Sequence, residues 1–471
     1  MTKTPVSRLV LGLSVPAIIS MLITNIYNLV DTAFVGRLGT SASGAVGIVF
    51  GFMTVIQAVG FLFGQGAGSI LSRALGQKDT DRASVHATAG FLSSFTAGLL
   101  VGIIGLIFLG DIVMLLGSTE TIAPYAETYI SYILIAAPFM CSCLTLNNML
   151  RYEGKASLGM IGLMVGAVLN MGGDPILMFG LDMGIAGAGL STALSQFISW
   201  AVLLSMFLCG KTQSKISRRY AKQIRPAVIA DIAATGFPSM LRQGLNSLST
   251  VLLNAQCAVY GDAAVAAMSI VSRIIFFTFS VSLGIGQGFQ PVAAFNYGAK
   301  KYSRVRKGFL FTAAAAESII VIGSALLIIF SGGLIGMFRD DPEVIGIGTR
   351  ALILQAIASL ALPPCMTTEM MLQSTGKRLH ASLMSSLRNG LLFIPLLLIL
   401  ANVRGLAGIQ EAMPISLGLS LPLAAPFAVS FFRKLPKSDG EEVGTDNSEK
   451  EKSIRETPVK AEEEDSADHS E

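Results

Sequence analysis

The chain has 471 residues, 52% of them hydrophobic and only 14% charged, and its mean hydropathy is +0.64. That balance excludes an ordinary soluble domain, and 49 glycines beside one tryptophan point to closely packed membrane helices rather than a β-barrel with aromatic girdles. The formal net charge of +4 combines two opposed parts, because residues 438–471 carry thirteen acids against four bases and leave the rest at about +13.

A helix crosses a bilayer with about twenty mainly apolar residues. Twelve segments qualify, centred near Met21, Ile56, Leu99, Ala137, Val165, Trp200, Ser247, Ser280, Ile319, Ser359, Leu392 and Leu421. The first is uncharged from Leu9 to Val30, too long for a signal peptide and without a small-residue cleavage site. It runs into "IYNLVDTAFVGRLG", which sets Asp31 inside a span. Twenty-three Lys and Arg fall on the terminal flanks and on alternate loops, while the opposite loops hold four: Arg37, Arg339, Arg350 and Arg404. The positive-inside rule therefore expects both termini in the cytoplasm, and the basic loops face anionic lipid rather than nucleic acid. The acidic tail lacks the apolar surface to fold and is expected to be disordered.

Sliding the chain by 222 residues aligns Pro16 with Pro238, Gly39 with Gly261, "GQG" at 64–66 with "GQG" at 286–288, Lys78 with Lys300 and Arg82 with Arg304. Over 39–82 the register gives 12 identities in 44 without a gap, a duplication. An offset of six spans keeps both halves in one orientation, related by an axis along the membrane normal. The expected fold class is an all-α polytopic membrane protein of twelve helices in two six-helix bundles. Its expected parts are an N-terminal lobe over 1–210, a cytoplasmic linker over 211–226, a C-terminal lobe over 227–436 and the tail over 437–471, as a monomer.

An ionisable side chain at the bilayer centre costs roughly 2.5–3.5 kcal/mol on insertion scales and needs a reason to be there. Counted from the outer loops, Asp31, Asp174 and Thr192 reach a similar depth in the outer half of the first lobe. Asn170 lies four residues from Asp174 and Asn28 three from Asp31, so each pair shares a helix face. Two carboxylates in a low-dielectric pocket resist ionising together and are expected to take up a proton as a unit, or to hold a small hard cation with the amide and hydroxyl oxygens. The alternative is that Asp31 and Asp174 satisfy helix breaks near Pro175. Gln65 and Gln287 are weaker candidates for pocket lining or interhelical hydrogen bonds. The repeat mates of Asp31 and Asp174 are Leu253 and Leu396, so the second lobe differs. There Glu317, Glu369 and Arg388 fall at one depth, expected as a buried ion pair or triad or as a secondary proton or substrate site, while Arg242 and Arg273 have no assigned partner.

Several function classes are excluded. Cys141, Cys143, Cys209, Cys257 and Cys365 lack paired metal-ligand spacing and read as packing residues, and three histidines are too scattered for a metal or catalytic centre. "CGKT" at 209–212 lacks the leading glycine of a phosphate-binding loop, since Ser205 stands there, and no catalytic triad or HExxH occurs. The expectation is a protein that is not an enzyme, has no cofactor and holds no metal beyond Na+.

"NLVDTAFVGRLG", "LNMGGDPILMFG" and "SRIIFFTFSVSLGIGQGFQPVAAFNYGAK" resemble the multidrug and toxic compound extrusion (MATE) transporters, over about residues 5–435 and nearest to a bacterial MepA-like or DinF-like branch. The resemblance implies a V-shaped pair of bundles in the bacterial cytoplasmic membrane that exports cationic and amphiphilic small molecules in exchange for H+ or Na+. By position it implies Asp31, Asn170, Asp174 and Thr192 as the coupling-ion site and Pro16 as the hinge of the first span. In another branch the seventh span carries a glutamate eight residues after its proline; here Asn246 follows Pro238, which turns the expectation toward the first lobe. The rival within transport is a flippase for lipid-linked sugars, whose cavity would need several arginines.

Overall fold

Helix ends fall where the sequence punctuates its apolar runs. The computed structural model describes residues 1–436 and 438–440, so the acidic tail lies outside the described residues except for Ser438, Asp439 and Gly440. We label the long helices α1 (Val6–Gly36), α2 (Thr40–Gly76), α3 (Thr80–Ile107), α4 (Ala123–Tyr152), α5 (Ala156–Gly180), α6 (Gly184–Leu208), α7 (Pro226–Ala258), α8 (Asp262–Gly298), α9 (Tyr302–Ile329), α10 (Pro342–Ser374), α11 (Arg378–Arg404) and α12 (Leu406–Lys434). Eleven are long and apolar enough to cross a membrane. The other, α7, has 33 residues but carries Arg242, Gln243, Asn246, Asn254 and Gln256, so it depends on its neighbours to shelter its polar face. Its polarity explains why a hydropathy criterion passes over one of the twelve expected spans.

The duplication is visible in the backbone. α2 and α8 have 37 residues each and α3 and α9 have 28, with starts and ends 222 apart. Positive φ recurs at Gly39 and Gly261, at Lys78 and Lys300, and at Gly154 and Gly376. Lipid-facing surface explains the exposed Leu100, Ile104 and Ile107 of α3 and Val321, Ile322 and Ile329 of α9.

The halves meet along a seam at the end of the molecule that carries the basic loops. A Cβ on Gly66 would strike the Ile232 carbonyl, and one on Gly288 would strike Ser14. Nearer the basic end, Gly76 approaches the Phe295 carbonyl and Gly298 the Arg73 carbonyl, a contact mirrored through the repeat because 73 and 295 are themselves 222 apart. Small residues here let backbones touch where no side chain fits. Hydrogen bonds between the halves include Ser14 to the Ile285 carbonyl (3.2 Å), Ser69 to the Ser374 carbonyl (3.2 Å), Ser72 to the Pro291 carbonyl (3.3 Å) and, mid-helix, Asn25 to Ser280 (3.1 Å). Among the described residues none crosses beyond that last pair toward the far end. The segment between α6 and α7 docks on the first half through Glu153, which accepts from the Gln213 and Ser214 amides at 2.9 and 3.0 Å. Of the five free cysteines four are buried, as packing residues should be, but Cys209 at the end of α6 is exposed.

Candidate functional site

Three helices bring oxygen atoms together inside the first half. Asn170 and Asp174 lie one turn apart on α5, and the Asn170 amide donates to Asp174 (3.2 Å), Thr192 (3.3 Å) and Ser191 (3.5 Å), the last two on α6. Ser191 returns a hydrogen bond to the Asn170 carbonyl at 3.3 Å. Asp31 on α1 faces Asp174. Burial is nearly complete, at 8% exposed for Asp31, 2% for Asn170 and 0% for Asp174. Even so, Asp31 Oδ1, Asn170 Oδ1 and Asp174 Oδ2 have no hydrogen-bond partner among the described residues.

An unpartnered buried acceptor costs about 1–3 kcal/mol, more when charged, so three in one place describe a site built to receive something positive. The donor set of two carboxylates, an amide oxygen and the Thr192 hydroxyl suits a proton or a small hard cation. Local sequence explains the presentation. Pro175 ends the regular α5 hydrogen-bond ladder and a π-helical turn follows at Ile176–Gly180, while Gly187 lets α6 come against the Leu177 backbone.

The sequence reading missed two members of this cluster. Tyr129 of α4 is 1% exposed and brings its hydroxyl beside Asp31 and Thr192, and Ser191 is hydrogen-bonded as above. The depth count that picked Asp31 would have picked Tyr129, about six residues into α4 from the same end. Asn28, by contrast, makes no side-chain hydrogen bond among the described residues, and it is Thr32 that donates to its carbonyl.

Gln65 and Gln287 are placed elsewhere. They sit in the seam at the basic end, where Gln65 bonds Asn148 (3.2 Å) and accepts from Tyr152 (2.9 Å), and Gln287 accepts from Arg151. Arg151, 5% exposed, also donates to Asn148 at 2.5 Å and has no carboxylate partner among the described residues. Gln287 therefore ties the halves together through Arg151, while Gln65 ties α2 to α4 within the first half. Pro16 is buried in α1 between the two seam contacts of Ser14 and Ile18 with α8, and the Ser20 hydroxyl donates to its carbonyl at 2.8 Å.

The expected triad of Glu317, Glu369 and Arg388 does not form. Glu369 pairs with Arg242 of α7 and accepts from Ser385 at 2.7 Å. Arg388 turns to Asn389 (2.8 Å) and to the Phe279 ring, 5.2 Å from its centroid. Glu317 stands apart on α9, half-buried. Equal depth put these groups at one level, but helix rotation, which depth does not report, points them in different directions.

The MatE family model matches residues 16–176 and again 238–399, two copies starting 222 residues apart. The chain is 29% identical over 423 residues to the multidrug export protein MepA of Staphylococcus saprophyticus, covering 88% of this chain and 91% of that protein. It is 27% identical over 432 residues to MepA of Staphylococcus aureus strain MSSA476, covering 92% and 95%. Among solved structures it resembles one of MATE in complex with MaL6, with a TM-score of 0.87 at 23% identity, covering 93% of this chain and 98% of that one. A multidrug resistance MATE family transporter of the MOP superfamily, solved in an outward-facing conformation, gives 0.86 at 23% identity over 93% and 98%. At that identity the likeness is one of fold.

Proposed function

The chain belongs to the MatE family of multidrug efflux transporters, and on that premise we propose that it is an antiporter driven by H+ or Na+ entry at the Asp31 cluster. It is a multi-pass membrane protein of a bacterial exporter family, a transporter rather than an enzyme, with small-molecule substrates and no cofactor.

The observation that carries the reading is the set of three buried, unpartnered oxygens on α1 and α5. With both carboxylates charged the cluster repels itself, and with a proton or Na+ in place it closes. Occupancy is therefore worth a different free energy in each conformation, which is the condition for an ion to drive a conformational equilibrium. Helix α1 links that energy to the lobes. Its outer half carries Asp31 against α5, and its inner half lies in the seam against α8, with Pro16 on the inner side of the division. Proline removes one ladder hydrogen bond and leaves a low-cost place to bend.

With the basic end assigned to the cytoplasm by the positive-inside rule, a seam closed at that end is the outward-facing arrangement. External ion binding then favours release of a cationic or amphiphilic substrate from the cleft and return to the inward-facing state. The two lobes 1–210 and 227–436 act as the moving bodies of a monomer, with 211–226 as their tether.

Reconstituted protein loaded with one fluorescent dye tests this. Efflux should follow an imposed pH gradient or sodium gradient in the wild type. It should vanish in Asp31→Asn at unchanged expression and unfolding temperature. Full coupled efflux in that variant removes the cluster from the mechanism.

A further inference from the structure

The interior of the second half carries more positive charge than its acids neutralise. Arg242 and Glu369 are 3% and 4% exposed and neutralise each other, with Ser385 as a further donor to the carboxylate. Glu369 is the acid whose field reaches Arg388, and it is already taken. Arg388 is left with one neutral hydrogen bond, from Nε to Asn389 Oδ1 at 2.8 Å, and Asn389 is in turn fixed by Asn246 at 2.9 Å. Its two Nη groups make no hydrogen bond and no ion pair among the described residues, although the residue is only half-buried and one face of its guanidinium lies over Phe279.

The backbone holds this arrangement in place. Leu387–Leu392 is a π-helical turn inside α11, a departure from regular geometry common where a side chain is re-aimed for function. Ser416 of α12 donates to the Arg388 carbonyl at 2.6 Å and fixes the turn from the other side. Phe279, beside the guanidinium, packs with half-buried Leu283 and Met413 over the fully buried Met366 and Met370, so the apolar surface left open is that of Phe279, Leu283 and the adaptable Met413. Two parallel N–H groups on a planar cation match a carboxylate in bidentate geometry, which an ammonium cannot do.

We propose that Arg388 is an anion-recognising subsite of the substrate cavity, taking the carboxylate of zwitterionic amphiphiles while their ring system lies against Phe279, Leu283 and Met413. This rests on the reading of the protein as an exporter of small amphiphiles. Asn389, itself held by Asn246, positions the guanidinium; Arg388 alone contacts the carboxylate.

The test uses the full chain in neutral phosphatidylcholine nanodiscs and a matched pair of probes, a rhodamine with a free carboxylate and its methyl ester, followed by fluorescence anisotropy. One added charge-assisted contact predicts about a tenfold preference for the carboxylate form. Arg388→Gln should bring the ratio of the two dissociation constants to about one, and Arg388→Lys should fall between. The ratio separates recognition from folding, since a misfolded variant weakens both probes alike and the lysine variant then carries the test. Equal binding of both probes by the wild type, or a preference retained in Arg388→Gln, overturns the subsite and leaves the exporter reading standing. A wild type that binds neither probe overturns both. Loss of the preference when phosphatidylglycerol is added assigns the guanidinium to a lipid headgroup and overturns the substrate role.

Discussion

The two halves share a backbone and differ in charge. At the positions where the first half has Asp31, Asn170, Asp174 and Thr192, the second has Leu253, Leu392, Leu396 and Pro414; where the second has Arg388 and Glu369, the first has Gly166 and Asn147. The two acids of the first interior have no base beside them among the described residues, and the second interior holds an ion pair and a surplus guanidinium. The seam, by contrast, kept its symmetry, because glycines at 66 and 288 and at 76 and 298 do the same steric work in both copies. Packing between the halves constrains a duplicated residue through both copies at once. The two interiors have diverged in charge, whereas these glycine approaches of the seam have not.

Moving the acid tests that contrast most severely. Asp31→Leu should abolish coupled efflux, a loss of about a hundredfold or more, and adding Leu253→Asp should restore nothing. The new carboxylate would lie among Cys257 and Val271, which offer no oxygen ligand. Dye efflux that returns in the double variant would show that either half can host the ion.

Removing one acid from each half should also move stability in opposite senses. Glu369→Gln strands the Arg242 guanidinium in the interior, which costs roughly 3–5 kcal/mol. Asp31→Asn takes away a repulsion and should leave the unfolding temperature unchanged or higher. Arg242→Met with Glu369→Met should recover most of the loss, because an apolar pair of similar size needs no compensation. Thermal unfolding in one detergent reads all three. An Asp31→Asn protein that unfolds as early as Glu369→Gln would mean the first-half acids are structural.

How much of this was legible in the residues depends on the kind of signal. Apolar run length placed twelve segments, eleven of which fall on helices long and apolar enough to cross a membrane, and the segment centred near Ser247 falls on the more polar α7. The fixed 222-residue register gave the duplication. Depth from the loops gave the oxygen cluster, since Asp31, Asp174 and Thr192 do lie together. Depth failed for Glu317, Glu369 and Arg388, where rotation about the helix axis decides contact and a π-helical turn at 387–392 shifts the register further. Gln65 and Gln287 stayed open between pocket lining and interhelical hydrogen bonds, and the structure shows the latter. Being polar and buried fits both roles, and only the partners tell them apart: Arg151 across the halves for Gln287, Asn148 and Tyr152 within the first half for Gln65.

The seam predicts a smaller and symmetric effect. Gly288→Ala puts a methyl group into the Ser14 backbone and Gly66→Ala puts one into the Ile232 carbonyl, neither of which can step aside as a flexible side chain would. Each should lower efflux by about tenfold, from a closed state held less tightly, and the two losses should be alike. A severe loss in one with none in the other would show that the halves do not share the closure equally.

The smallest effects are expected where each half is tied to the segment that follows it. In the first half, Asp81 in the opening turn of α3 accepts from the Tyr220 hydroxyl of the linker at 2.8 Å. In the second, Ser303 at the equivalent place in α9 donates its amide and hydroxyl to Asp439 beyond α12, at 3.0 and 2.9 Å. The roles of donor and acceptor are exchanged, so the two ties should fail at opposite ends of the pH scale. The Asp81 carboxylate holds the Tyr220 proton and pushes that phenol up. This tie is therefore present below the ordinary phenol range near pH 10 and lost as pH rises through the raised value. Burial alone would raise the Asp439 carboxyl, but the Ser303 hydrogen bonds and Lys301 outweigh it and hold that group below the usual range. Its contribution is present above about pH 4 and lost as pH falls through the lowered value. Both ties are solvent-screened and should be worth below ~0.5 kcal/mol. The unfolding temperature of Tyr220→Phe should rejoin that of the wild type only at high pH, and that of Asp439→Asn only in acid. A pH dependence of the same sign in both would mean that the donors and acceptors are not arranged as described.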